Sequence, residues 1–345
     1  PKGAMLTHGN LSAANAQYLL TTGPAGSNLR MGEEVLLAVL PPFHIYALSV
    51  NMLLGVALGA TQVLHTRFEP EAILKDLAAK KVSVFPGVPT MYTALNHFPG
   101  VEQYDLRSLK FCGSGGAPLP VEVQQRFMQL TGCLLAEGWG MTETSPSGTF
   151  TPTQLPARPG SCGLPMPGID FRFARLDGEP GYVAQGERGE MCVKGPNVMK
   201  GYWKNPQATA EAFDAQGYMR TGDVGFMDAD GFIHIVDRTK DMLLCSGFNV
   251  YPRTIEEAIY AHPSVAEVCV IGIPDEYRGQ SPKAFIVLKA GAAAFTLDEL
   301  KGFLKDRLGK HEMIGAMEIR KDLPKTPVGK LSKKDLVEQE AQRVK

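Results

Sequence analysis

Between Glu34 and Gly140 short apolar runs alternate with longer amphipathic stretches, and this rhythm restricts the chain to few folds. "EVLLAVLPPF" is a continuous apolar strand, as expected where both faces of a sheet are covered. From Ile45 to Leu64 the chain carries no charge for 20 residues, about the length of a membrane span. Ser49, Asn51, Gly55, Gly59, Thr61 and Gln62 interrupt it, so it reads as a buried helix from Leu48 to Leu58, stopped by Gly59, then a strand "TQVLH". "EPEAILKDLAAKK" follows as a helix with Pro70 at its start and Ile73, Leu74 and Leu77 on one face. "VSVFPGVP" is a strand, "PVEVQQRFMQLTG" a helix closed by Gly132, and "CLLAEGWG" a strand running into a turn. Strand and helix in alternation predict a parallel α/β sheet. Ahead of it, Asn10 is the expected cap of a helix through Leu11, Ala14 and Tyr18 that stops at Gly23.

After residue 150 the texture changes. Short strands between Pro and Gly ("GIDFRFARL", "GEMCVKG", "GFIHIVDR") predict antiparallel or barrel-like β structure. Beyond residue 240 comes a small α+β unit: a helix from Pro252 to Ala261, strands "AEVCVIGI" and "AFIVLKA", and a helix near 297–308. The last has a capping box, Thr296 with Glu299, and Gly309 as its stop. A chain of 345 residues accommodates two such domains.

A formal charge of −1 argues against nucleic acid as a partner. The six cysteines form no C-x-x-C pair and no metal-ligand spacing; in apolar runs they read as buried thiols of a reducing compartment. The last 26 residues hold eight Lys/Arg against four Asp/Glu, a pattern that usually marks a solvated face.

Five stretches carry candidate chemistry. "EGWGMTETSP" (137–146) follows a buried strand, and parallel sheets bind ligands at the carboxyl ends of their strands. Its glycines admit close approach, Trp139 offers a flat face, Thr142 a hydroxyl, and Glu143 a carboxylate suited to Mg²⁺ with phosphate oxygens. It reads equally as a polar loop whose Trp covers core. "FCGSGGAPLP" (111–120) is a second strand-end loop, or a plain tight connection. "YMRTGDVG" sets Asp223 between glycines, where a carboxylate could accept ribose hydroxyls. "DRTKDMLLCSGFNVYP" joins the two units, with Arg238, Lys240 and a Ser246–Phe248 loop; such charge clusters are commonly just solvated. "LPKTPVGKLSKKDL" puts Lys330 in a turn, where three lysines in five residues read as wet surface.

In order and wording these stretches resemble the adenylate-forming superfamily: acyl-CoA synthetases, luciferases and adenylation domains. "LTHGNL", "LPPFHIYAL", "EGWGMTE", "VKGPNVMKGYW", "TGD", "DRTKDM", "SGFNVYP" and "LPKTPVGK" look most like long-chain fatty acid–CoA ligases. That family's phosphate loop ends in P-K-G, so the resemblance implies a C-terminal portion of a longer enzyme beginning inside that loop. On this reading strands flanking "EVLLAVL" are missing, and the chain alone is not a competent ligase.

The resemblance implies an incomplete AMP-binding domain over 1–237 (α/β to about 150, β-rich after it), a hinge at 238–241, and a mobile α+β domain over 242–345. It implies ATP, Mg²⁺ and CoA as cofactor and co-substrates and a small carboxylic acid, of medium or long chain, as substrate. Lys330 would reach the attacking carboxylate and α-phosphate, Thr142 would hold phosphate, Glu143 would ligate Mg²⁺, and His44 would sit at the acyl pocket, with a satisfied core histidine as the alternative. Trp139, where Tyr is usual, would stack on adenine, with Gly115, Gly116, Ala117 and Pro118 opposite and Glu137, Gly138, Gly140 and Met141 completing the nucleotide site. Asp223 and Arg238 would grip the ribose and Lys2 the β- and γ-phosphates. Lys240 matches the pivot, and Ser246, Gly247 and Phe248 would line the CoA channel. "KHEMIGAMEI" departs from the family's usual "Y-K-x-P", which puts contacts to the CoA nucleotide near 310–318 in doubt. A cytoplasmic location follows, with peripheral membrane contact and a homodimer left open. Ligation of aryl or dicarboxylic acids, and a non-catalytic acyl-adenylate or nucleotide-binding module, are the alternatives.

Overall fold

The structure, a computed structural model, describes residues 2–22, 29–156, 158–327 and 329–343. Pro1, Gly23 and Val328, which enter the expected phosphate loop, first helix stop and lysine turn, lie outside them. The chain forms two compact units, residues 1–221 with 225–235, and residues 222–224 with 236–345.

The first unit begins with Lys2–Met5 bonded to 200–203: Met5 N–H donates to Gly201 O (2.9 Å) and Trp203 N–H to Gly3 O (2.7 Å). Helix α1 (His8–Thr22) follows. Asn10 does not cap it. Thr7 Oγ1 accepts from Asn10 N–H (3.1 Å) while Asn10 Oδ1 accepts from Thr7 N–H (2.9 Å), a reciprocal box with Thr7 as the cap. Strand β1 (Val35–Ala38) leads through a π-helical stretch, Ala47–Leu53, and α2 (Leu54–Ala57) into β2 (Thr61–Leu64). Next come α3 (Pro70–Ala79), β3 (Val84–Gly87), α4 (Pro89–Asn96), β4 (Phe111–Ser114), α5 (Val121–Thr131), β5 (Leu135–Trp139), β6 (Thr149–Phe150) and β7 (Leu164–Pro165). Gly132, at φ 69°, closes α5. Ile73, Leu74 and Leu77 of α3 are fully buried, each worth about 1.5–3 kcal/mol.

These strands form one sheet in the order β2-β1-β3-β4-β5-β6-β7, parallel from β2 to β5. The expectation that "EVLLAVL" lacks its neighbours is therefore overturned. Strand β1 pairs with β2 on one side and β3 on the other, because the helical crossover returns "TQVL" beside it. The edge is β2, where Leu64 is 77% exposed. None of the described helices is long and apolar enough to cross a membrane.

Strands β8 (Asp170–Ala174) and β9 (Gly189–Lys194), helix α6 (Pro206–Ala212), β10 (Met219–Met227) and β11 (Ile233–Arg238) follow, the strands forming a four-stranded sheet β11-β10-β9-β8.

The second unit contains β12 (Leu243–Cys245), β13 (Phe248–Val250), α7 (Pro252–Tyr260), β14 (Val265–Asp275), β15 (Gly279–Leu288), α8 (Leu297–Leu304), β16 (Ala316–Arg320) and α9 (Lys333–Arg343). Its sheet runs β13-β12-β15-β14, with β16 parallel to β15. The capping box of α8 is present in both directions. The loop at Ser246 is tight: Cys245 pairs with Phe248, and Ser246 and Gly247 (φ 52° and 81°) are the two-residue turn between β12 and β13.

Candidate functional site

In the first unit, β4 and β5 are parallel neighbours with Ser114 opposite Glu137, so the loops leaving their carboxyl ends start side by side. The first carries Gly115–Pro118. Gly115 lies against the Tyr46 ring, which an added Cβ would meet at 3.2 Å, and the Tyr46 hydroxyl donates to Gly113 O (3.2 Å). Burial, then Tyr18 and Cys112, push the Tyr46 phenol far up. From the second loop, the buried Glu137 Oε1 accepts from Leu119 N–H (3.3 Å), tying the two together.

The chain from Trp139 to Ser147 folds back on itself. A Cβ on Gly140 would sit 1.4 Å from Pro146 O, so no other residue fits. The Trp139 ring meets Phe171 edge-on (5.7 Å) and covers Gly148, so it does cover core. Thr142 is exposed and Glu143 half-buried on a single 3₁₀ turn, Thr142–Thr144. Its fixing comes from elsewhere in the sequence. Tyr202 donates its hydroxyl to Glu143 Oε1 (2.8 Å), and Met199 N–H donates to Glu143 O (2.8 Å). Asn197, fully buried, donates Nδ2–H to Thr144 O and Ser147 O, both at 2.6 Å. Ser145 Oγ donates to Asn197 O, and Ser49 Oγ to Ser145 O, each at 2.8 Å.

Lys2 is exposed, its Nζ 4.7 Å from the centre of the Tyr202 ring. His44 is half-buried, and its Nδ1 accepts from Tyr46 N–H (3.2 Å), so one ring nitrogen is spent on the start of the helical segment.

In the second unit, Asp223 is 5% exposed and its Oδ1 accepts from Arg238 Nε–H (3.1 Å). Thr239 fastens the same stretch, giving its N–H (2.8 Å) and its hydroxyl (3.0 Å) to Gly222 O. Asp237, buried, accepts Arg238 N–H on Oδ1 (2.7 Å) and Arg253 N–H, in the first turn of α7, on Oδ2 (2.8 Å). Lys240 is exposed. Phe248 is 57% exposed, its ring 5.0 Å from that of His311 in the divergent "KHEM" stretch.

Lys330 is half-buried at the end of a turn in which Gly329 N–H donates to Thr326 O (2.8 Å) and Thr326 N–H to Lys330 O (2.7 Å). Burial, and then the Arg238 guanidinium, lower its ammonium pKa below the usual 10.5. The neighbouring lysines are not uniformly wet. Lys333 pairs with Glu256 (3.2 Å); burial works against its charge, but Glu256 and Asp237 outweigh it and raise the pKa.

The expected residues thus gather in two groups, Lys2, His44, Gly115–Pro118 and Glu137–Glu143 in one unit and Asp223, Arg238, Lys240, Ser246–Phe248 and Lys330 in the other. Tyr202, Asn197 and Asp237 were not singled out from the sequence. Their partners lie 59, 53 and 16 residues away, where no local pattern points to them.

Residues 1–203 match the family model for AMP-binding enzyme, and residues 254–330 that for the AMP-binding enzyme C-terminal domain. A long-chain-fatty-acid–CoA ligase of Bacillus subtilis is 43% identical over 343 residues, covering 99% of this chain. A feruloyl-CoA synthase of an Amycolatopsis species is 40% identical over 334 residues, 96% of this chain and 66% of its own length. ATP-bound MatB from Rhodopseudomonas palustris superposes with a TM-score of 0.90 at 32% identity, over the whole of this chain and 66% of that one. The chain spans 60% of the length of the Bacillus relative.

Proposed function

The chain belongs to the AMP-binding enzyme family, and from that premise we propose that the whole protein is an AMP-forming acid–thiol ligase. It would join a medium- or long-chain fatty acid to CoA by way of an acyl-adenylate, releasing pyrophosphate and AMP. The observation that carries the reading is the meeting of Gly115–Pro118 with Glu137–Glu143 at the carboxyl ends of adjacent parallel strands, where open α/β sheets take nucleotides.

The first half-reaction needs alignment and charge neutralisation rather than a protein nucleophile. Glycine-lined backbone at 115–116 and the outer face of Trp139 would receive the adenine. Asp223, oriented by Arg238, would accept the ribose hydroxyls. Thr142, Lys2 and Lys330 would hold phosphate oxygens, and Lys330 would also draw in the acid. His44, whose Nδ1 accepts from Tyr46 N–H, would sit at the acyl side. The residues fit Mg²⁺. Tyr202 engages Glu143 Oε1, and Oε2 would be the carboxylate oxygen offered to a cation whose other ligands would be phosphates and water. Bound there, Mg²⁺ would supply neutralisation of phosphate charge. For the second half-reaction, Lys240 is the proposed pivot, and the Ser246–Gly247 turn with Phe248 the wall along which CoA enters.

A second reading, ligation of aryl acids, is favoured by the 40% identity to a feruloyl-CoA synthase. Pyrophosphate release by the full-length polypeptide, supplied with ATP, Mg²⁺ and a panel of fatty, aryl and dicarboxylic acids, tests both. Release with fatty acids supports the first and with cinnamic-type acids alone the second. ATP binding without release for any acid would leave a nucleotide-binding module instead.

A further inference from the structure

Tyr202 lies in "KGYW" and touches both charged ends of the proposed phosphate site. Its hydroxyl donates to Glu143 Oε1 at 2.8 Å, and its ring carries Lys2 Nζ at 4.7 Å from the centroid. Its backbone is bridged to Ala4, while Gly201 and Trp203 on either side bond the backbone of Met5 and Gly3. We propose that Tyr202 is the positioning residue of this site, its hydroxyl setting the Glu143 carboxylate for a divalent cation and its ring setting the Lys2 ammonium for phosphate. The inference rests on the nucleotide-binding reading above.

The physical case is preorganisation. Glu143 stands on one turn of 3₁₀ helix with its carboxylate at the end of a flexible stem, and a cation that binds there must order that stem. A phenol 8% exposed, on a backbone laddered to 3–5, is already ordered, so the carboxylate that it holds is ordered with it. The Lys2 ammonium over the ring gains a cation–π contact without losing its access to solvent. One side chain therefore holds an anion on its tip and a cation on its face.

The two roles separate by substitution. Tyr202→Phe keeps the ring, and so the Lys2 contact, while removing the donor to Glu143. Tyr202→Leu removes both. The measurement is the ATP dissociation constant of the full-length protein by calorimetry, with and without Mg²⁺ and with no acid present. For Tyr202→Phe the metal-free affinity should equal wild type, while the gain on adding Mg²⁺ falls about tenfold, the lower end for losing a hydrogen bond to a charged group. Tyr202→Leu should weaken metal-free ATP binding as well. In a Glu143→Gln background, Tyr202→Phe should add nothing to the loss of the Mg²⁺ gain, since the hydroxyl acts through that carboxylate. A Phe variant with the wild-type Mg²⁺ gain, or one weakened equally with and without metal, would overturn the assignment while leaving the ligase reading intact. Absence of ATP binding by the wild-type protein would overturn both.

Discussion

Asn197→Ala is the substitution for which the structure sets a cost directly. The side chain is fully buried and its Nδ2 gives two bonds of 2.6 Å, to Thr144 O and Ser147 O, while Oδ1 accepts from Gln17 Nε2 at 3.4 Å. Truncation leaves two buried carbonyls without that donor, at about 1–3 kcal/mol each. The sum, about 2–6 kcal/mol, is a large share of the 5–15 kcal/mol typical of a folded domain. A water entering the space left by the amide would recover part of it, so the lower half of that range is expected. Asn197→Asp has nearly the same shape but turns a donor into an acceptor facing two carbonyls, and should be worse than Ala. Both tryptophans, Trp139 and Trp203, belong to the first unit, so tryptophan fluorescence in urea follows that unit. With m of about 2 kcal/mol/M, the midpoint should fall by about 1–2 M for Ala and further for Asp. An unchanged midpoint for Ala, or an Asp variant more stable than Ala, would refute the reasoning.

Lys330→Ala in the full-length protein should slow acyl-adenylate formation about 10²–10³-fold, the scale of one preorganised donor, and spare thioester formation from supplied acyl-adenylate; equal loss in both steps would refute its role. Because burial and then Arg238 lower the Lys330 pKa, the ammonium is lost as pH rises through that lowered value. The alkaline limb of adenylation should therefore fall below the ordinary lysine range and move upward in Arg238→Gln, and a limb that does not move would show that Arg238 leaves Lys330 unperturbed. The same shift means that the unfolded chain keeps this proton to higher pH than the folded one, so stability should rise with pH between the lowered value and 10.5, an increment absent from Lys330→Ala in denaturation series. Lys240→Pro, fixing φ near −65°, should keep adenylation and abolish thioester formation; unchanged overall turnover would place the pivot elsewhere.

The parallel sheet was legible because its signals are local. Each strand is a run of adjacent apolar residues, and each long helix announces itself through a stripe such as Ile73, Leu74 and Leu77. The box of Thr296 and Glu299 was legible for the same reason. Asn10 was misassigned because Thr7 and Asn10 both carry capping side chains, and only geometry says which one precedes the helix. Helix α4 went unread because its first residues continue the apolar strand "VSVFPGVP", and α9 because Leu336 is its one buried side chain among those described. In the candidate site, residues that would face a ligand could be named from their types. The residues that hold them could not, since a lone Asn or Tyr has no periodicity and finds its partner through the fold.

That division has a physical logic. The stretch from Met141 to Ser147 bends too sharply for a regular ladder of its own. Its carbonyls and carboxylate are satisfied by Asn197, Met199 and Tyr202, and its rigidity is borrowed from a segment itself bonded to residues 3–5. The junction of the second unit is built the opposite way. Asp237 is buried and bound at both carboxylate oxygens, holding Arg238 N–H and the first turn of α7. Past it, Arg238, Thr239 and Lys240 are all exposed, and Asp241 and Met242 return their N–H groups to the single carbonyl of Arg238 (3.0 and 3.1 Å). Few buried contacts oppose a change of φ and ψ there, whereas at Asp237 such a change would break two bonds, one buried and one half-buried. A pivot is therefore less costly at Lys240 than three residues earlier, and Asp237→Ala should loosen α7 rather than free a rotation.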